Sequence, residues 1–305
     1  MSTIPKHQKR QFSNNPMPGV FRELESQFKK TEILRPLRST TSLFADDQYD
    51  GTYCCLGCRQ EIGRTYVPFK KQWGLKRACA CVIAENERAE KESERRYRRG
   101  QMERVFSRNI MNERLKQARL SNFIERSGSE SSLKGAKEFV EGFESRETGL
   151  LLFGPPGNGK SHLAAGIHHE LNHQGFVCLF LDVPQLLKLA ETATRFDSKI
   201  NLTDIINGAV SADLLTLDEL GAGDITSKIY TDILFPIING RQGKITNYTS
   251  NLNLERLENW LLYDKYKNIV DEEGRLFDRI LGSSDIYHNT ATSKRREDAI
   301  KRMQG

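Results

Sequence analysis

Short apolar runs alternate with helical patterns over the second half of the chain. Leu150–Phe153, Val177–Asp182, Leu214–Leu217, Ile245–Thr249 and Ile286–Thr290 read as strands bounded by turn residues. Ser161–Gln174 and Ile229–Asn239 carry helical patterns between them. Runs such as LLLF and LLTL lack the polar alternation of a half-exposed sheet. They predict an α/β fold around a mainly parallel sheet covered on both faces. No internal repeat breaks this order.

The first half is patterned otherwise. Residues 82–120 hold 11 Lys/Arg and 7 Asp/Glu in 39 positions without a proline, and apolar residues such as Tyr97, Met102, Val105, Phe106 and Ile110 are sparse. This predicts a solvated helix or helical linker. Four segments follow: a basic, partly disordered 1–49 with a short helical possibility at Phe21–Leu34, a small cysteine-bearing domain at 50–81, a charged helical linker at 82–126, and the α/β domain at 127–305 after a polar break at Ser127–Ser132.

Composition narrows the class. The 305 residues, 37% hydrophobic and 28% charged, suffice for a core but contain no run of 18 apolar residues for a membrane helix. The first twenty residues lack the apolar stretch of a secretory signal, so a cytoplasmic protein with reduced cysteines is expected. The net charge of +6 is uneven: residues 1–120 carry 25 basic and 14 acidic groups, residues 121–305 carry 21 and 26.

Gly154-Pro155-Pro156-Gly157-Asn158-Gly159-Lys160-Ser161 matches the phosphate-loop pattern between a strand and a helix, with His162 directly after it. Glycines let backbone N–H groups turn toward phosphate oxygens at the positive end of the helix. Lys160 is expected to reach the outer phosphates of ATP, and the Ser161 hydroxyl to ligate Mg²⁺. About 60 residues on, Leu214–Leu217 leads into Asp218 and Glu219. Asp218 is placed to hold the ion through water, and Glu219 to orient or deprotonate the attacking water. Asn251, after the strand at Ile245–Thr249, either senses the γ-phosphate or, like Asn253, caps a helix at Leu254–Leu262. Arg275 and Arg279 share one helix face, and a guanidinium from such a position can serve a neighbouring subunit's phosphate. Arg295 follows the last strand and is a candidate to return to the pocket. Only about 15 residues remain after that strand. This predicts a site without a helical lid, closed by ATP-dependent self-association or by a partner.

Five of six cysteines fall between Cys54 and Cys81. Cys55-x₂-Cys58 and Cys79-x-Cys81 supply four thiolates, a tetrahedral set for structural Zn²⁺. Cys54 is the spare, and pairing from Cys54 to Cys58 stays open. Arg59, Arg64, Lys70, Lys71, Lys76 and Arg77 interleave with Tyr66, Phe69 and Trp73, aromatics that a segment this short also needs as its own core. Cys178 reads as a buried strand residue.

These motifs together resemble the bacterial replicative-helicase loaders of the DnaC/DnaI type. The resemblance rests on the two cysteine pairs, the charged helix into Asn112–Ala118, and then GPPGNGKSHLAAGI, LLTLDELG, YTSNLNLERL and GRLFDRI. It implies an AAA+ P-loop ATPase domain behind a zinc-binding domain, with Asn251 as sensor 1, Arg279 as arginine finger and Arg295 as second sensor. It also implies a hexameric replicative DNA helicase and single-stranded DNA as partners, with ATP state governing release. Because the ATPase half is net acidic, DNA contact there needs a local groove; Lys188, Arg195 and Lys199 are candidates. An IstB-like transposition-accessory ATPase shares the rear motifs and is the alternative, as is a nucleotide-switched adaptor without hydrolysis. The cysteine cluster and charged helix favour the loader, because they supply a separate grip on a partner.

Overall fold

The computed structural model describes residues 34–36, 52–67, 72–75, 79–106, 111–194, 198 and 200–304. The chain divides into two compact units, Met1–Ser93 and Glu94–Gly305. In the first, β1 (Leu34–Pro36), β2 (Thr52–Cys55), β3 (Glu61–Val67) and β4 (Gln72–Leu75) form an antiparallel meander in that order. Leu34 pairs with Cys55, Tyr53 with Ile62, and Tyr66 with Trp73. Of the helical possibility at Phe21–Leu34, Leu34 alone falls among the described residues, and it lies in β1. The described core of this unit is Cys55, Ile62, Cys79 and Val82, with Cys81 against it.

Helix α1 (Ala80–Phe106) starts in the first unit and continues into the second. Its second half is anchored rather than solvated. Met102 and Phe106, four apart and hence on one face, are both buried, and Arg98 pairs with Asp213 at 2.6 Å. After α2 (Glu113–Lys116) and a 3₁₀ turn at Leu120–Asn122, α3 (Glu130–Glu141) leads into the sheet.

The sheet holds β5 (Gly149–Phe153), β6 (Cys178–Asp182), β7 (Leu214–Asp218), β8 (Thr246–Ser250) and β9 (Ser284–His288), all parallel, in the order β6-β7-β8-β5-β9. Helices α4 (Lys160–His173), α5 (Val183–Ala193), α6 (Leu202–Ser211), α7 (Ser227–Ile229), α8 (Phe235–Gly240), α9 (Leu254–Leu262), α10 (Arg275–Gly282) and α11 (Lys294–Gln304) complete the unit. A π-helical turn at Tyr230–Leu234 joins α7 to α8, so the stretch expected as one helix is helical throughout but changes its hydrogen-bond pattern at its start. Alternation along β5 divides the core: Leu150 and Leu152 face one apolar layer and Leu151 the other.

The central strand β8 reads TNYTS yet is buried throughout. Its polar groups are used. Asn247 Oδ1 accepts the Leu150 N–H at 2.8 Å, Ser250 Oγ donates to Leu220 O at 2.6 Å, and Thr246 Oγ1 accepts Arg241 Nε at 3.1 Å. Such partners are what make burial of polar groups tolerable, and Asn247 Nδ2 is the exception on this strand, buried with no hydrogen-bond partner among the described residues. The buried Arg241 also donates to the carbonyls of Val210, Ala212, Asp213 and Ile245, tying the end of α6 and the entries of β7 and β8 into one knot.

Candidate functional site

The phosphate loop leaves the carboxyl end of β5 and ends at the first turn of α4. Gly154 has φ 139° and Gly159 φ 100°. A Cβ at Gly154 would stand 2.1 Å from the Asn289 carbonyl, and one at Gly159 would stand 2.6 Å from the Phe123 ring. Both glycines are therefore required by conformation and by close approach. Inside the loop Lys160 is buried, and its Nζ donates to Gly154 O at 2.8 Å, Pro155 O at 2.9 Å, Asn158 Oδ1 at 3.0 Å and Asn251 Oδ1 at 3.0 Å. Burial pulls its ammonium down to about 8, against the opposing pull of Asp218 and Glu219.

Asp218 ends β7 and is buried, with Thr249 Oγ1 donating to its Oδ1 at 2.5 Å. Burial pushes its carboxyl up to about 6 although hydrogen bonds from Thr249 and Ser161 pull it down. A buried carboxyl beside a hydroxyl, carrying the cost of desolvation, is a donor pair that a divalent cation would relieve. Glu219 follows at φ 59°, a left-handed backbone held by its own N–H donating to Thr249 Oγ1 at 3.0 Å. Thr249 thus fixes both acids at once.

A cavity of about 350 Å³ opens over the loop. Pro156 to His162, Glu219, Asn251 and Arg295 line it, as do Asn122, Phe123, Ile124 and Arg126 from before α3. The structure therefore gathers the loop, Glu219, Asn251 and Arg295 around one space, with Asp218 beneath it. Asn253, not Asn251, caps α9 by accepting the Arg256 N–H at 2.9 Å. His162 Nε2 turns to Arg119 O at 3.0 Å and Asn122 Oδ1 at 2.9 Å, with its ring edge-on to Phe123 at 5.5 Å.

Arg279 is not brought to this cavity. It lines a separate hollow with Arg241 and Tyr248, its guanidinium 5.2 Å from the Phe235 ring, and its Nη1 is buried with no hydrogen-bond partner among the described residues. The residues after β9 fold into α11, and its first turn flanks the loop, with Lys294 N–H donating to Gly157 O at 3.0 Å. Arg126 was not singled out by the sequence. It donates to Asn158 O at 3.0 Å and to Thr292 O, and pairs with Glu297 at 3.5 Å, clamping the loop to α11. No local motif marks it, because its partners lie 32 and more residues away.

The sulfurs of Cys55, Cys58, Cys79 and Cys81 lie within 4.8 Å of one another. The turn after β2 is closed by Arg59 N–H to Cys55 O at 2.7 Å and Cys55 N–H to Gln60 O at 3.0 Å, and the other pair opens α1. A Cβ at Gly57 would come within 3.1 Å of Cys81 Sγ, so the turn and the helix start meet without room for a side chain. The Cys55 thiol is pulled down to about 7, first by the Cys58 backbone N–H. Four convergent thiols of this kind fit a tetrahedral metal. Phe69, Lys70, Lys71, Lys76, Arg77, Arg195 and Lys199 lie outside the described residues. Cys178 is buried in β6 and Lys188 is exposed on α5.

The five-stranded parallel sheet and its loop-and-carboxylate site define a P-loop ATP-binding protein of the AAA+ class. The chain belongs to the family described as IstB-like ATP binding protein, which matches residues 91–301. The replicative helicase loader DnaC of Escherichia coli K12 is 29% identical over 167 residues, 54% of this chain and 67% of that protein. An insertion sequence ATP-binding protein of Sinorhizobium fredii is 39% identical over 92 residues, 30% of each chain. The crystal structure of DnaI superposes with a TM-score of 0.51 at 25% identity, covering 60% of this chain and 96% of that one. Among the described residues, no helix is long and apolar enough to cross a membrane.

Proposed function

We propose that this protein is an ATP-hydrolysing loader that places a hexameric replicative helicase on single-stranded DNA in the cytoplasm. The observation that carries the ATPase half is the convergence of the buried Lys160 and Asp218 with the half-buried Glu219 and the exposed Asn251 at the mouth of one cavity. Similarity to DnaC supports the loading role.

In this reading the loop from Gly154 to Ser161, with His162 behind it, cradles the phosphates. Lys160 leaves its four oxygen acceptors for the outer phosphate oxygens. Ser161 and Asp218 hold Mg²⁺, which supplies charge neutralisation on the phosphates. Glu219 orients the attacking water and takes its proton as the γ-phosphoryl bond breaks. Asn251 and Arg295 report phosphate occupancy. Arg279, remote from its own cavity, serves a neighbouring copy, which makes self-association part of the cycle. Zn²⁺ on Cys55, Cys58, Cys79 and Cys81 is structural and stiffens the partner grip.

The test is reconstitution of helicase loading on a forked bubble substrate with ATP. Loading that depends on this chain and on Lys160 supports the reading; ATP turnover without loading removes it. Similarity to the insertion sequence protein favours a second reading, a transposition accessory. Capture of a transposase but not the helicase by the full chain would select that one.

A further inference from the structure

The segment between α9 and α10 takes no part in the site described above. Tyr263 and Ile269 form an antiparallel bridge, and Val270 N–H donates to Leu262 O at 2.9 Å. At its centre the buried Asp264 accepts four donors: the N–H groups of Tyr266 at 2.8 Å and Asn268 at 2.9 Å on Oδ1, and Asn268 Nδ2 at 3.0 Å and Ser227 Oγ at 3.1 Å on Oδ2. The tip is thereby preset, with Lys267 held at φ 68°. Preset shape lowers the ordering cost of binding.

This tip displays an unusual combination. Tyr266 is 70% exposed and Ile269 54%, with Lys265 and Lys267, the chain neighbours of Tyr266, also exposed. Lys265 Nζ lies 5.0 Å from the ring centroid, and the ring otherwise meets solvent. A single exposed apolar residue needs no explanation. An open ring flanked by ammonium groups is the arrangement that bases and phosphates use together. An acidic protein surface would use the lysines but not the free ring face.

Residues 121–305 carry 21 basic against 26 acidic groups, so bulk attraction cannot bring a polyanion here. The tip has its own positive groups in exposed Lys265, Lys267 and Lys228, set against the buried Asp264, Asp224 on the adjoining 219–228 stretch, and Asp271, Glu272 and Glu273 after the bridge. The 219–228 stretch is tied to the tip by Lys265 N–H to Ile225 O at 2.8 Å and Trp260 Nε1 to Gly223 O at 2.9 Å.

We propose that the Asp264-anchored tip is a single-stranded nucleic-acid contact, in which one base stacks on Tyr266 and Lys265 and Lys267 neutralise the neighbouring phosphates. This rests on the single-stranded-DNA reading above and names a site for it. The probe is a fluorescent oligo(dT), its anisotropy followed with the full zinc-loaded chain and a non-hydrolysable ATP analogue over a range of salt. Tyr266→Ala is expected to weaken binding about tenfold or more, and Tyr266→Phe to keep it. Lys265→Ala with Lys267→Ala is expected to flatten the logarithmic salt slope by about 1.4, because each single-strand phosphate contact contributes about 0.7. Calorimetric ATP affinity should stay unchanged in all three and shows that they are folded. If the variants bind oligo(dT) like the wild type, the tip proposal is overturned while the DNA reading stands. If the wild type binds none, both fall. Retained oligo(dT) binding with lost helicase capture would mark the tip as a protein surface and overturn it equally.

Discussion

The two units solve the problem of stability differently. The first has a described core of Cys55, Ile62, Cys79 and Val82, in which half the members are thiols. The second packs two apolar layers on a five-stranded sheet, with Leu150 and Leu152 in one and Leu151, Leu215 and Leu217 in the other. The four thiols of that region converge closely enough to hold a metal, and a metal contributes to folding where apolar surface is scarce. The comparison yields an expectation: the first unit should need a bound metal to stay folded, and the second should not.

The strongest test of that contrast is metal removal. Structural zinc is worth about 10–16 kcal/mol to small domains of this type. Chelation, or Cys58→Ser, should therefore unfold the region around β2, β3 and the start of α1. Hydrogen exchange should show that loss while the amides of β5 to β9 keep their protection. Simultaneous loss in both units would break the comparison.

The converse comes from the second unit. Leu151 is fully buried at the middle of β5. Leu151→Ala should cost about 3–5 kcal/mol through transfer and cavity terms, seen as a lower denaturant midpoint for the ATPase unit. Bound zinc per chain should not change. Function follows the same division: Glu219→Gln should slow ATP hydrolysis about 100- to 1000-fold, a typical cost for losing one positioned group at a reacting centre, with nucleotide affinity nearly intact. Phosphate release measured in excess Mg²⁺ with and without a zinc-selective chelator checks that the defect belongs to the second unit alone.

How much of this was legible in the sequence depends on the range of the interactions. The loop, Asp218, Glu219 and the four thiols are read from spacing, because the geometry that needs them is local. The strand at 246–250 was placed one residue early, since its polar residues are satisfied by partners such as Asp218 and Leu150 from distant strands. The strand at 284–288 was placed two residues late for a related reason: Ser284 pairs with Gly149, which an apolar pattern does not register. Arg126 and Arg241 escaped notice because each is defined by carbonyls that only the folded chain assembles. The C-terminal helix was missed because α11 has no buried residues and so leaves no apolar signature.

The smallest effect separates two neighbouring asparagines that the sequence alone leaves interchangeable. Asn253 accepts the Arg256 N–H as the cap of α9, so Asn253→Ala should lower stability by about 1 kcal/mol and leave nucleotide affinity alone. Asn251 accepts from Lys160 Nζ and makes no cap. Asn251→Ala should hardly move the melting temperature, yet it should change the affinity for ATP relative to ADP, because it frees a buried ammonium from one of four acceptors. Parallel calorimetry and thermal melts on the two variants check this. The opposite assignment of effects would mean that Asn251 is part of the scaffold, and that the junction around Lys160 closes without it.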